Sequence, residues 1–293
     1  MRLKHYLKYI IYSLIAISIV GTGTFYLWQY VKPAEPPHKI TKINLLTIGD
    51  SLTEGVGDQQ HEQGYSGRIT RELKSHYHLP VKTTNFGKAG DRSDQIRSRV
   101  LAQKNIQRKI SQSNIIVLTV GGNDLQQVLL KNATVKTPQA LTASVNSSTK
   151  TYTRHLQQLL TTVRSFNADA PIFIFGNYNP VYVYFANRAD LNQDVKLYNN
   201  INQQSTRQVK KAYYVDIFDL TYGQYTTSKL RKELTNTSAI SMQTLLSDTH
   251  SDVHNDYISD DDHYHPNSRG YDYMTRQLLQ RIKQKEIVWI NQR

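Results

Sequence analysis

From Lys42 onward, short apolar runs alternate with longer stretches of helical spacing. The runs are INLLTIGD (Ile43 to Asp50), VKTTNFG (Val81 to Gly87), NIIVLTVGG (Asn114 to Gly122), PIFIFGN (Pro171 to Asn177) and AYYVDIFDL (Ala212 to Leu220). Several are nearly unbroken in Ile, Val, Leu and Phe, the pattern of parallel strands covered on both faces. Helices fit between them at Tyr65–His76, Asp94–Ser111, Ser144–Phe166 and Asn192–Lys210, with a last one at Ser268–Lys285. Alternating β and α elements predict an α/β fold, a three-layer α/β/α sandwich whose parallel sheet is joined by right-handed crossovers. In such folds the functional site lies beyond the carboxyl ends of the strands. The stretch from Thr221 to Ser259 is polar and without clear periodicity, and reads as an insertion or lid.

The pattern at the N-terminus is different. Arg2, Lys4 and Lys8 precede an apolar run from Tyr9 to Val31 that carries no formal charge. It is long enough to cross about 30 Å of hydrocarbon as a helix. Tyr26, Trp28 and Tyr30 suit the far interfacial belt, and the basic flank predicts a cytoplasmic N-terminus with the remainder outside. A cleaved signal peptide is the alternative, but no A-x-A site follows and the run exceeds a usual h-region. Residues 1–31 are therefore read as cytoplasmic tip and transmembrane anchor. Residues 32–41, which include KPAEPPHK, are read as an extended linker, and residues 42–293 as the main globular domain.

Composition narrows the chemistry. A chain of 293 residues has material for one sizeable domain, and the absence of cysteine excludes disulfides, thiolate catalysis and cysteine-bound metal. A formal net charge of +13 predicts attraction to anionic surfaces. The basic residues are scattered and no nucleic-acid-binding signature is present, so nucleic acid is not an expected partner.

Four polar clusters fall just past strand ends or before the last helix: Gly49-Asp50-Ser51-Leu52, Gly87-Lys88-Ala89-Gly90-Asp91, Gly121-Gly122-Asn123-Asp124, and Asp262-His263-Tyr264-His265-Pro266-Asn267. Together they offer a hydroxyl, glycine amides, a carboxamide and an imidazole–carboxylate pair. Acyl transfer needs this set: nucleophile, oxyanion donors, general base and orienting acid.

The same residues carry a family resemblance. GDSLTEGVGD (Gly49 to Asp58), NFGKAGDRSDQ (Asn85 to Gln95), GGND (Gly121 to Asp124) and DHYHPNSRGY (Asp262 to Tyr271) resemble, in order, the four blocks of the SGNH/GDSL hydrolase superfamily. The resemblance implies a flavodoxin-like five-stranded sheet and a serine ester hydrolase. It places the nucleophile on Ser51, oxyanion donors on Ser51, Gly90 and Asn123, the base on His265 and its acid partner on Asp262. It implies no cofactor and no metal. Arg92 departs from the pattern, standing where members commonly have threonine. The implied substrates are acyl esters of lipids, lysophospholipids among them, with O-acetylated wall polysaccharide as the alternative. A catalytically degenerate wall-surface binding protein is a third reading, against which the full set of catalytic residue types argues.

Some of these residues have competing readings. Asp260 and His263 also satisfy a D-x-x-H spacing. His265 is preferred because Pro266 and Asn267 follow it and Asn267 can cap the last helix. Asp124 reads as a structural carboxylate at a helix start. The Asp- and His-rich stretch from Asp248 to His265 includes His250, Asp252, His254 and Asp256, but lacks an H-E-x-x-H pattern and reads as a solvated loop. Tyr178, Tyr182 and Tyr184 belong to a tyrosine-rich group that could line an acyl or sugar groove, ordinary packing being the simpler reading.

Overall fold

The structure is a computed structural model that describes residues 40–135, 137–237 and 253–290, together with 18 and 20–23. The proposed anchor, the linker and positions 238–252, including His250 and Asp252, lie wholly or mostly outside the described residues. No helix among the described residues is long and apolar enough to cross a membrane.

The elements below belong to the compact unit Lys39–Gln292. Five parallel strands, β1 (Ile43–Gly49), β2 (Val81–Gly87), β3 (Ile115–Leu118), β4 (Ile172–Phe175) and β5 (Ala212–Val215), form one sheet in the order β2-β1-β3-β4-β5. The helices are α1 (Ser51–Glu54), α2 (Gly64–Tyr77), α3 (Ser93–Ala102), α4 (Lys104–Ser111), α5 (Gly122–Lys131), α6 (Pro138–Phe166), α7 (Ala189–Arg207), α8 (Ser228–Thr237), α9 (Ser268–Gln284) and α10 (Glu286–Ile290). Alternate strand residues feed two separate cores, as the two-residue period requires. Leu46, Ile48, Ile116, Leu118, Ile172 and Ile174 pack with α3, α4, α6 and α7. Leu45, Val117, Phe173 and Phe175 pack with α2, α9 and α10, where Trp289 is fully buried. The three-layer sandwich is thus present.

Most elements follow the sequence pattern, with instructive differences. The predicted helix Asp94–Ser111 is two helices, because Gln103 takes extended backbone (φ −113°, ψ 102°) between α3 and α4. β3, β4 and β5 are shorter than their apolar runs. β3 stops at Leu118 because the Thr119 hydroxyl turns to Asp50 and Gly121 takes φ +106°, which a side chain would strain. The helix α6 starts earlier than its apolar spacing, at Pro138, where Thr137 caps the first turn. The polar stretch after Thr221 contains α8, whose buried Leu234 joins Tyr182, Val183 and Tyr184 in a third, small apolar cluster.

A buried ion pair joins the two ends of this fold. Arg68 on α2 is 1% exposed; its Nη1 and Nη2 donate to Asp58 at 2.7 and 2.9 Å, and its Nε donates to Asp272 on α9 at 2.8 Å. Asp58 also accepts from the Gly64 and Glu62 amides and from the Ser268 hydroxyl. Burial pushes the Asp58 carboxyl up, but the Arg68 fork and these donors outweigh it and hold the group at about 2. A carboxyl held below its ordinary value near 4 contributes stability above that value and loses it as pH falls toward the folded value. Asp58→Asn should therefore lower the melting temperature by about 5–15 °C at pH 7, the cost of leaving Arg68 half-paired. The deficit should shrink as pH falls from about 4 to about 2. Equal melting temperatures at pH 7 would show that the pair contributes nothing.

Candidate active site

The first strand ends in a tight turn into α1. Asp50 takes extended backbone as its N-cap, accepting from the Leu52 amide at 3.1 Å and from the Thr119 hydroxyl at 2.7 Å. Burial raises the Asp50 carboxyl above its ordinary range, partly offset by Thr119 and the Leu52 N–H. Ser51 is the first residue of α1, so its N–H has no partner within the helix. The hydroxyl of Ser51, a residue 6% exposed, lies 2.9 Å from Nε2 of His265.

His265 arrives from the other end of the chain. Its Nδ1 lies 2.5 Å from Asp262 Oδ2, and Asp262 Oδ1 accepts from the backbone N–H groups of Tyr264 and His265, each at 2.9 Å. Burial pushes the Asp262 carboxyl up, but the ring N–H and the two amides prevail and keep it below its ordinary range. With Asp262 ionised, Nδ1 carries the proton and Nε2 is left to accept from the Ser51 hydroxyl. The loop is fixed on three sides. The Tyr178 hydroxyl donates to the Tyr264 carbonyl at 2.8 Å, and the Ser259 N–H donates to the His265 carbonyl at 2.8 Å. Asn267 caps α9 through the Gly270 N–H and reaches back to the carbonyls of Asp256 and Ile258.

The competing histidine has another partner. His263 Nδ1 lies 2.9 Å from the Tyr184 hydroxyl, with its backbone in the left-handed region at φ +53°. Asp260 is exposed. His265, and not His263, is the imidazole brought to Ser51.

Gly90 and Asn123 meet through Asp91. Asn123 at the start of α5 donates from Nδ2 to the Asp91 carbonyl at 3.0 Å, and Gly90 sits just before it with φ +81° and open space around its Cα. Ser51 and Asn123 line one pocket with Leu52, Asn177, Tyr178, Pro180 and Tyr264; its free volume is about 30 Å³. Gly90 stands outside those walls, on the exposed rim.

Several supporting residues carry no signature in the sequence. Arg99 on α3 donates to Asp91 at 2.5 Å, to the Phe86 carbonyl at 3.0 Å and to the Gly49 carbonyl at 2.9 Å. One guanidinium thereby ties the Ser51 turn to the Gly90 loop. Thr53 links the Tyr65 hydroxyl to Thr119 beneath the same turn. Asn199 holds the Asn177 amide at 2.6 Å on the far wall. Their spacings resemble ordinary helix and strand positions, so only the tertiary fold reveals them.

Among the described residues, Asp94, Asp124 and His155 bring one ligand atom each within 4.8 Å of one another. Those carboxylates are already satisfied. Asp124 accepts from the Ser93 amide and hydroxyl, at 2.9 and 2.5 Å, and Asp94 accepts a two-pronged bond from Arg92. Asp124 thus supports the start of α3. Arg92, the departure from the resemblance, is spent on Asp94 at the rim. His254 pairs with Asp256 at 3.2 Å.

Known proteins resemble this chain at three levels. It is 26% identical over 244 residues to the uncharacterized protein YpmR of Bacillus subtilis (strain 168), covering 83% of this chain and 82% of that protein. The lipase Lip_vut3 from a goat rumen metagenome superposes with a TM-score of 0.61 at 21% identity, covering 81% of this chain and 96% of that one. An acetylxylan esterase, Axe2 of Geobacillus stearothermophilus, superposes with a TM-score of 0.52 at 16% identity, covering 84% and 96%. At such identities the two structures establish the shared fold. Residues 47–273 match the GDSL-like Lipase/Acylhydrolase family, well over half of the sequence and all four polar clusters. The chain therefore belongs to the GDSL-like lipase/acylhydrolase family, within the SGNH hydrolase superfamily, and is a carboxylic ester hydrolase.

Proposed function

We propose that the chain hydrolyses carboxylic esters through a Ser51–His265–Asp262 triad and an acyl-enzyme intermediate. The observation that carries this reading is the unbroken hydrogen-bond chain from Asp262 through His265 to the Ser51 hydroxyl. His265 Nε2 takes the hydroxyl proton as Ser51 Oγ bonds to the ester carbonyl carbon. Asp262 holds the tautomer and stabilises the imidazolium. The oxyanion accepts from the Ser51 N–H, the Gly90 N–H and the Asn123 carboxamide. Collapse breaks the ester C–O bond, and the departing alcohol takes the proton from His265. Water then attacks the acyl-serine by the same route and returns the proton to Ser51.

A panel of four variants tests the roles. Ser51→Ala and His265→Ala should fold normally, hydrolyse p-nitrophenyl acetate hardly at all and escape labelling by a fluorophosphonate. Asn123→Ala should lower kcat by about 10²–10³ with a smaller change in KM, as for one lost oxyanion donor. His263→Ala should keep most of the activity. A folded Ser51→Ala protein with substantial activity would sink the serine mechanism, and an inactive His263→Ala beside an active His265→Ala would reverse the base assignment.

The substrate reading follows from the pocket beside Ser51. With about 30 Å³ of free volume among walls that include Tyr178, Pro180 and Tyr264, and one open side, the pocket has room for an acyl group of about two or three heavy atoms. Short acyl esters, such as O-acetyl groups on a wall polysaccharide, fit it better than fatty acyl chains. The resemblance in fold to an acetylxylan esterase supports this reading, and that to a lipase supports the acyl-lipid alternative. We expect kcat/KM for p-nitrophenyl acetate to exceed that for the laurate by about 10²-fold, each excluded methylene weighing against binding. A preference for laurate would return the enzyme to acyl lipids and lysophospholipids.

We also propose that Tyr9–Val31 anchors the enzyme in the cell membrane with the catalytic domain outside, segment 221–259 serving as an insertion beside the site. The support is the length, apolarity and basic flank of the run. The full chain should stay with membranes through a high-salt wash, which strips proteins held by charge alone. Mature protein that starts near Thr24 and is free in the medium would instead identify a cleaved signal peptide.

A further inference from the structure

At the amino-terminal ends of β1 and β2, the opposite end of the strands from Ser51, lies a cavity of about 370 Å³ lined by Lys42, Asn44, Leu45, Lys82, Thr84, Lys109, Gln112 and Ser113. The strand register explains it. Asn44 pairs with Lys82 and Leu46 with Thr84, so Asn44, Lys82 and Thr84 project from the same face as core residue Leu46. That face is covered by the layer containing α4, and the last turn of α4 brings Lys109, Gln112 and Ser113 to the cavity. Three cationic side chains, from the residue before β1, from β2 and from α4, thus line one cavity.

What is missing from the walls is as informative as what is present. Among the described residues no carboxylate lines the cavity and none of the three lysines takes part in an ion pair. The α4 sequence KNIQRKIS adds Lys104 and Arg108 and contains no acid. Elsewhere in the fold several arginines are matched by carboxylates, Arg68 by Asp58, Arg99 by Asp91 and Arg188 by Asp190, whereas half-buried Arg164 donates to backbone carbonyls. Lys109 is half-buried while Lys42 and Lys82 are exposed, so the three lysines form a basic rim around one space, and an anion held there would be attracted by all three.

We propose that this cavity binds a phosphoryl anion, carried by a lipid headgroup or by a small phosphate ester. Ammonium groups approaching from three directions suit a tetrahedral, multiply charged oxyanion better than a flat carboxylate. Lysine binds phosphate as a compact point charge without the planar fork that carboxylates favour. The Thr84 hydroxyl and the Gln112 side chain offer neutral hydrogen bonds to an attached polyol. The volume falls in the range of small-molecule sites, whereas the pocket at Ser51 is far smaller. The site lies where the chain enters β1 after the proposed linker, so a headgroup is one accessible source. The proposal is independent of the ester hydrolase reading, because no residue is shared.

The test is calorimetric titration of the full chain in a non-ionic detergent with inorganic phosphate, glycerol 3-phosphate and dioctanoyl-phosphatidylglycerol. At least one should bind with a stoichiometry near one, more weakly as salt rises. Lys82→Gln combined with Lys109→Gln should weaken that binding about tenfold or more. Lys150→Gln combined with Lys229→Gln, two exposed positions outside the cavity, should leave it unchanged. Comparable affinities for the three probes would identify a small phosphate ester, and binding of the lipid alone a headgroup; either supports the site. Thermal melts and p-nitrophenyl acetate hydrolysis matching the wild type would show that the cavity variants are folded. No saturable binding by any probe, or an equal loss in both double variants, would overturn the proposal.

Discussion

A guanidinium withdrawn from water is tolerated only if every direction in which it can donate is filled, and Arg68 sets that condition for this fold. Its five N–H groups reach Asp58, Gln60, the Gly64 carbonyl and Asp272. Those partners come from the loop after the Ser51 turn, from α2 itself and from α9. None of the three segments can move away without stranding a charge. Ser268, three positions beyond His265, also donates to Asp58, and the Tyr271 hydroxyl donates to the Val56 carbonyl at 2.6 Å. The distance between Ser51 and His265 is therefore held from below by a charge-driven clamp that touches neither of them.

A second framework holds the site from the side of the sheet. Asp50, Thr119, Thr53 and Tyr65 form a buried chain under the Ser51 turn, while Tyr152 through Asn202, and separately the Asn177–Asn199 pair, brace the ends of β3 and β4. Buried polar groups are costly when unpaired. A chain in which each member satisfies the next fixes the turns more narrowly than apolar packing would, since hydrogen bonds impose direction as well as distance. Arg99 connects this framework to the Gly90 loop.

The parts of the molecule legible in the sequence are those set by local periodicity or by contiguous polar clusters. The apolar runs predicted β1, β3 and β4 most directly because these central strands are buried on both faces, while the edge strands β2 and β5 are only partly buried, and Asn267 was readable as a helix cap because capping is a local interaction. His265 could be preferred to His263 from the Pro-Asn that follows it, while the reason in space is that His263 turns toward Tyr184. The break at Gln103 was hidden, since the apolar spacing of Ile96, Val100, Ile106 and Ile110 runs through it. Arg68 and Arg99 were equally hidden. An arginine eight positions from an aspartate looks like any surface pair until the fold brings a carbonyl to each of its remaining nitrogens.

Ser51 and His265 are separated by 214 positions, and the contact between them closes almost the whole domain into one loop. Ser51 leaves the ribosome just after the first strand of the domain, whereas His265 follows only after all five strands. Contacts this distant in sequence form only after the intervening sheet exists to bridge them. A chain in which α9 has not yet docked therefore holds Ser51 without its imidazole partner. The contact forms with that docking, so the same geometry that organises the site also delays its completion until folding has reached the last long helix.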